Sequence, residues 1–194
     1  MPLQIDPGAR ALIFDIDGTL ADTMPTHYEA WRDVLAAHGF ALTEELFYGE
    51  LGGRPSEAIV RLLNARFDLA LDPGPVSQEK DRTYLAHADS ARAIEPVADL
   101  ARRAHRRLPL GLATGERRAI SERVIRATGL AHLFDAYVTA DDVTQHKPHP
   151  ETFLRCAGLL GVAPSYCQVF EDSSSGMEAA RAAGMMVTDV TVFV

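Results

Sequence analysis

The chain has 194 residues, 47% hydrophobic and 24% charged, with 14 glycines and 11 prolines. That is the make-up of a soluble globular chain holding one ordinary domain plus a modest insertion. With 19 basic and 27 acidic residues, the formal charge is −8, which argues against a phosphate-backbone footprint and against nucleic acid as a partner. No apolar run approaches a membrane span, and Met1-Pro2-Leu3-Gln4-Ile5-Asp6 does not read as a signal peptide. The two cysteines, Cys156 and Cys167, lack metal-like spacing and fit a reducing cytoplasm.

In chain order, the first strong signal is Ala11-Leu12-Ile13-Phe14, an unbroken apolar run that stops at Asp15-Ile16-Asp17-Gly18-Thr19. Such runs suit a strand buried on both faces of a parallel sheet. From about Asp22 to Glu95 the pattern changes. Helices are expected over His27–Ala37, Glu57–Phe67 and Ser77–Ala88, with Leu71-Asp72-Pro73-Gly74-Pro75 as a linker and no strand among them. Beyond that, apolar runs return at Leu110–Ala113, Ala136–Thr139, Cys167–Phe170 and around Met185–Val187. Helical patterns lie between them at Arg117–Thr128, Pro150–Leu160 and Ser175–Ala183, each followed by a glycine suited to a helix stop. The arginines at 102–103 and 106–107 read as a solvated helix face. Alternating strands and helices predict an α/β fold, a Rossmann-like parallel sheet of about five strands. Residues 1–21 and 96–194 would form that core, and residues 22–95 a helical domain inserted into it.

Ligands of open parallel sheets bind beyond the carboxyl ends of the strands. Asp15 and Asp17 stand at the first such end, Thr114 and Gly115 at the second, Glu171 and Asp172 at the fourth. If these strands are neighbours, four carboxylates converge, and a hard cation with oxygen ligands, Mg²⁺, would neutralise them. An aspartate there can attack phosphorus. A second one two residues on can protonate the leaving alcohol and then activate water. Gly18 would let backbone approach the phosphate. Thr114 and one of the two lysines, Lys80 or Lys147, would meet the charge developing on the phosphoryl oxygens. Lys147 sits in His146-Lys147-Pro148-His149-Pro150, a loop stiffened by prolines just ahead of a helix. The two histidines there lack the helical spacing of a zinc site.

Four motifs in order, Asp15-Ile16-Asp17-Gly18-Thr19-Leu20, Leu112-Ala113-Thr114-Gly115, Lys147-Pro148-His149-Pro150 and Glu171-Asp172-Ser173-Ser174-Ser175-Gly176, span nearly the whole chain. Together they resemble the haloacid dehalogenase-like hydrolases, in the branch of β-phosphoglucomutases and small sugar phosphatases. The resemblance implies that Asp15 is the nucleophile and Asp17 the general acid/base. It implies that Mg²⁺ is held by the Asp15 carboxylate, the Asp17 backbone carbonyl and Asp172, with Glu171 nearby or acting through water. Thr114 and Lys147 would bind the transferring phosphoryl group, and the insertion would be a helical cap. The segments around Asp22-Thr23, Pro25-Thr26-His27, Ala30-Trp31 and Ala179–Met185 resemble the fructose-1-phosphate phosphatase group. Gly115 departs from relatives that carry Ser or Asn there, which leaves its backbone N–H as the donor. In the cap, His27, Arg54 and Lys80 are candidate substrate contacts, whereas Trp31 is expected in the core.

The expected activity is a Mg²⁺-dependent phosphatase acting on a small phosphorylated sugar or sugar acid, in the cytoplasm, as a monomer or weak homo-oligomer. A phosphomutase of the β-phosphoglucomutase type is the alternative, because it shares nucleophile and acid/base. Carbon–halogen cleavage has no use for Asp17 as an acid. Phosphonate cleavage would need a cap lysine, for which Lys80 is the candidate. A non-catalytic protein on the same fold should have lost a catalytic carboxylate or the lysine, and none is lost.

Overall fold

Ala11, Leu12, Ile13 and Phe14 form strand β1 (Ala11–Phe14), with all four side chains buried. The structure is a computed structural model that describes residues 3–52 and 54–193. Met1, Pro2, Gly53 and Val194 lie outside the described residues, so the loop Gly52–Ser56 is described without its Gly53.

β1 is flanked by β4 (Leu110–Ala113) and β6 (Cys167–Glu171), with β5 (Ala136–Val138) outside β4 and β7 (Met186–Asp189) outside β6. All pairings in this five-stranded sheet are parallel. Side chains alternate across β1 as the pleat requires. Leu12 and Phe14 face a layer that includes α5 (Glu95–Ala104) and α6 (Arg118–Ala127). Ala11 and Ile13 face α7 (Glu151–Leu160) and α8 (Ser174–Ala182). Phe14 pairs in register with Phe170 and stacks on it, 4.8 Å between ring centroids. The α/β reading therefore holds, and the five expected runs are the five strands, β1 and β4 with the expected bounds and the other three shifted by one or two residues at one or both ends. Strand order reverses at β1, which places the ligand crevice at its carboxyl end.

Between β1 and β4 the chain forms a second cluster of helices. They are α1 (Met24–Ala37), α2 (Glu44–Leu46) running into a π-helical stretch (Phe47–Leu51), α3 (Ser56–Phe67) and α4 (Pro73–Leu85). Trp31, Leu35, Phe47, Val60, Leu63 and Val76 bury themselves in a core of this cluster's own.

Four sequence readings need correction here. The stretch from 22 to 95 does contain strands. β2 (Ala21–Asp22) and β3 (Arg92–Ala93) pair antiparallel where the chain leaves and rejoins the main sheet, two residues being too short to show a period. The expected linker at Pro73-Gly74-Pro75 opens α4 instead. Prolines in a first turn forfeit no helical hydrogen bond, and the Asp72 carboxylate caps the helix by accepting from the Gly74 N–H. α1 likewise begins at Met24 rather than His27, with Pro25 in its first turn. Residues 44–51 are helical although no helix was expected there; Thr43 caps them through the Leu46 N–H.

No helix among the described residues is long and apolar enough to cross a membrane. Arg102 pairs at the surface with Glu95 at 2.7 Å and Asp99 at 2.8 Å, as a solvated helix face would.

Trp31 is 2% exposed, so its ring packs the helical cluster as expected. Replacing it by Ala should destabilise the fold by about 3–5 kcal/mol, measured as a lower urea midpoint. An unchanged midpoint would mean that the cluster holds without that ring.

Candidate active site

The parallel pairing of β1 with β6 carries Asp15 to within reach of Glu171, and the Asp15 N–H donates to the Phe170 carbonyl at 3.1 Å. The Lys147 ammonium fills the gap between the two carboxylates. Its Nζ donates to Asp15 Oδ1 and Glu171 Oε2, both at 2.7 Å. Glu171 is fully engaged, since its other oxygen accepts from the Ser173 N–H at 3.0 Å and the Ser173 hydroxyl at 2.8 Å. Ser173 is also the N-cap of α8, accepting from the Gly176 N–H. Asp172 completes the group, and its Oδ1 accepts from the Thr19 hydroxyl at 3.1 Å.

Two glycines let these carboxylates come this close. A Cβ on Gly18, whose φ is +78°, would lie 2.3 Å from Asp172 Oδ2. A Cβ on Gly176 would lie 2.0 Å from Glu171 Oε2.

Oxygens of Asp15, Glu171 and Asp172 lie within 4.8 Å of one another. Burial, then the Glu171 charge, push the Asp15 carboxyl well above the usual carboxylate range, against the pull of Lys147. Burial and Glu171 likewise push Asp172 up to about 7. Asp15 and Asp172 are thus carboxylates short of positive charge in an all-oxygen setting, and this donor set fits a hard divalent cation.

Asp17 stands apart from that cluster. Its Oδ1 accepts from the Thr23 hydroxyl at 2.8 Å and lies 3.4 Å from His27 Nε2. Burial pushes this carboxyl up, but the His27 hydrogen bond and charge, with the Thr23 hydroxyl, outweigh it, and the net pKa is below the ordinary value. The His27 ring stacks on Tyr84 with centroids 4.0 Å apart.

Asp15, Asp17, His27, Lys147, Glu171 and Asp172 line one cavity of about 880 Å³ between the carboxyl ends of the strands and the helical cluster, within the range of small-ligand sites. Thr114 and Gly115 line it at the end of β4, and Thr114 Oγ1 accepts from the Glu116 N–H at 3.1 Å. A Cβ at Gly115 would meet nothing within 4 Å, so space does not require glycine there. From α4, Lys80 is buried in the cavity wall with Nζ 3.6 Å from both Asp81 and Glu116. Arg54 is exposed at the rim, and its Nε donates to the Glu50 carbonyl at 2.7 Å. The sequence thus placed all its candidate residues on or beside one cavity. It missed Thr23, Tyr84, Asp81 and Glu116. Of these only Glu116 had a visible signal, two residues past Thr114 at a strand end.

The family model for haloacid dehalogenase-like hydrolases matches residues 9–184. Fructose-1-phosphate phosphatase YqaB of Escherichia coli is 42% identical over 92% of this chain and 95% of its own length. A phosphorylated carbohydrates phosphatase of Thermotoga maritima is 33% identical over 91% of this chain and 82% of its own. The crystal structure of CbbY from Rhodobacter sphaeroides in complex with phosphate superposes with a TM-score of 0.82 at 25% identity, covering 92% of this chain and 84% of that one.

The Asp172 shift has a sign that can be measured. An unfolded aspartate ionises near 3.8, whereas Asp172 holds its proton to about 7. The stability this proton confers is complete below the unfolded value and is lost as pH rises through the folded one. Without metal, Asp172→Asn should therefore melt above the wild type at about pH 8, with the gap closing towards about pH 4. A pH-independent gap in the melting curves would contradict this assignment.

Proposed function

The chain belongs to the haloacid dehalogenase-like hydrolases, and we propose that it is a Mg²⁺-dependent phosphatase of a small phosphorylated sugar or sugar acid, fructose-1-phosphate-like, working through an aspartyl-phosphate. The observation that carries the reading is the buried set of Asp15, Lys147, Glu171 and Asp172 at the carboxyl end of β1, facing the cavity. The names of YqaB and of the Thermotoga maritima relative support the substrate class.

Asp15, Asp172 and the Asp17 backbone carbonyl would hold the cation, with Glu171 acting from behind. When bound, the ion supplies positive charge to the carboxylates and to the phosphoryl oxygens. Lys147 commits two of its three N–H donors to Asp15 and Glu171, which leaves the third for a phosphoryl oxygen. The Thr114 hydroxyl supplies another donor, and Gly115 a backbone N–H.

Asp15 attacks phosphorus in line with the leaving oxygen, and that oxygen takes a proton from Asp17. At rest Asp17 is ionised. A phosphate dianion bound beside it raises its pKa by like-charge repulsion and so loads that proton. In the second half Asp17 takes a proton from water, which attacks phosphorus and frees both phosphate and Asp15.

Residues 22–95 act as a cap over the sugar, with His27 and Lys80 on its inner side and Arg54 at its rim. Phosphoryl transfer is common to all phosphate monoesters, so selection of the sugar falls to this wall. Buried free thiols at Cys156 and Cys167 fit a cytoplasmic setting. A monomer or weak homo-oligomer suffices, because every group invoked comes from one chain.

Asp15→Asn is expected to lower phosphate release by more than about a thousandfold while the fold stays intact. Turnover near wild type would sink the nucleophile assignment. EDTA should abolish release and Mg²⁺ restore it, whereas Ca²⁺, with longer bonds and higher coordination, should bind and inhibit. Full activity in metal-free buffer would remove the cation from the scheme.

A further inference from the structure

Away from the carboxylate cluster, one stretch of the cavity wall holds buried polar atoms without partners. Ser77 and Lys80 on α4 are 4% and 2% exposed. Among the described residues, neither Ser77 Oγ nor Asp81 Oδ1 has a hydrogen-bond partner. Lys80 Nζ lies 3.6 Å from Asp81 Oδ1 and 3.6 Å from Glu116 Oε2, close enough to attract but too long for good hydrogen bonds. All four residues line the cavity. Buried polar groups left unpaired are expensive, so their placement against an open cavity points to a ligand that pairs them.

We propose that Ser77, Lys80, Asp81 and Glu116 form the subsite that reads the uncharged hydroxyls of the substrate, and that Glu116 and Asp81 exclude a second anionic group. The inference rests on the phosphatase reading above and narrows its substrate class to monophosphates of neutral polyols and sugars, leaving out sugar acids and bisphosphates.

The chemistry of the wall favours hydroxyls. Each one donates and accepts, so it can accept a hydrogen bond from Lys80 or Ser77 and donate one to Asp81 or Glu116. A carboxylate or phosphate only accepts. It would satisfy the ammonium while setting like charge against two carboxylates in a partly buried place. Glu116 is anchored on one side of its carboxylate. Its Oε1 accepts from the Arg117 N–H at 2.8 Å, and its own N–H is tied to Thr114.

The neighbouring arginines each stand beside another acceptor. Arg117 lies 3.9 Å from Asp81, Arg61 2.7 Å from Glu57, and Arg54 is bonded to the Glu50 carbonyl at the rim. Carboxylates outnumber Lys and Arg side chains along the cavity wall. That excess of negative charge disfavours a second anion on this stretch of the wall.

The test compares glucitol 6-phosphate with 6-phosphogluconate, which differ only in a terminal CH₂OH against a carboxylate. The wild type should favour the neutral substrate in kcat/KM by about tenfold or more. Glu116→Gln keeps the shape and removes the charge, and should lower that preference by about tenfold. Asp81→Asn, read by the same ratio, gives a second measure if one variant is poorly folded. Equal use of both substrates by the wild type overturns the inference, as does a preference unchanged in both variants. p-Nitrophenyl phosphate separates the two levels of failure. Hydrolysis of it without discrimination between the sugar substrates rejects only this subsite, whereas no phosphate release from any of the three rejects the phosphatase reading and the subsite with it.

Discussion

A single ammonium held between two buried carboxylates governs this molecule. Lys147 is 132 residues from Asp15 in sequence, yet the two are 2.7 Å apart, and the same nitrogen reaches Glu171. Buried charges are tolerated when they are paired and hydrogen-bonded, and the fold supplies both conditions. β6 lies beside β1, so Glu171 ends next to Asp15, while the loop ahead of α7 brings the lysine over them. Asp172 and Asp15 are left short of positive charge, and that shortage makes the place reactive as well as stable. One arrangement thus ties the two halves of the sheet together, creates a demand for a cation, and aims the Asp15 carboxylate, the proposed nucleophile, at the cavity.

Around that pair the labour divides by element. The strand ends carry the groups that the proposed reaction uses on phosphorus, which a phosphate monoester always presents in the same form. The helices between β2 and β3 carry groups facing the remainder of the cavity, where substrates differ. His27 belongs to both sets. It stands on α1 but touches Asp17, so the protonation of the proposed acid/base is set partly by a helix of the other cluster. Lys80 and Glu116 join the two parts again farther along the wall.

Much of this was legible in the sequence because its signals were local and continuous. β1 and β4 are unbroken runs without a polar side chain, β6 is interrupted only by Gln168, and all three end in acids or Thr-Gly, the endings that became the candidate site. The helix stops at Gly129, Gly161 and Gly184 all have positive φ, the conformation for which glycine is favoured. What escaped was either too short or non-local. β2 and β3 have two residues each and exist only because they pair across a separation of about seventy residues. Pro73-Gly74-Pro75 reads as a breaker in isolation, and only the Asp72 cap turns it into a helix start. Thr23 and Tyr84 are ordinary residues in sequence. Their importance comes from lying against Asp17 and His27, and no period or motif encodes that contact.

The glycines at 18 and 176 carry a consequence for how such a site diverges over time. Neither has a functional group, yet a single methyl at either would occupy space already taken by a catalytic-cluster carboxylate. A survey of inactivating substitutions would therefore score these two positions beside Asp15 and Lys147, and would misread them as chemistry. Their constraint is one of packing clearance, and it acts on lineages: the helical wall has room to change, whereas the floor formed by the carboxylate cluster tolerates no added methyl at these two positions.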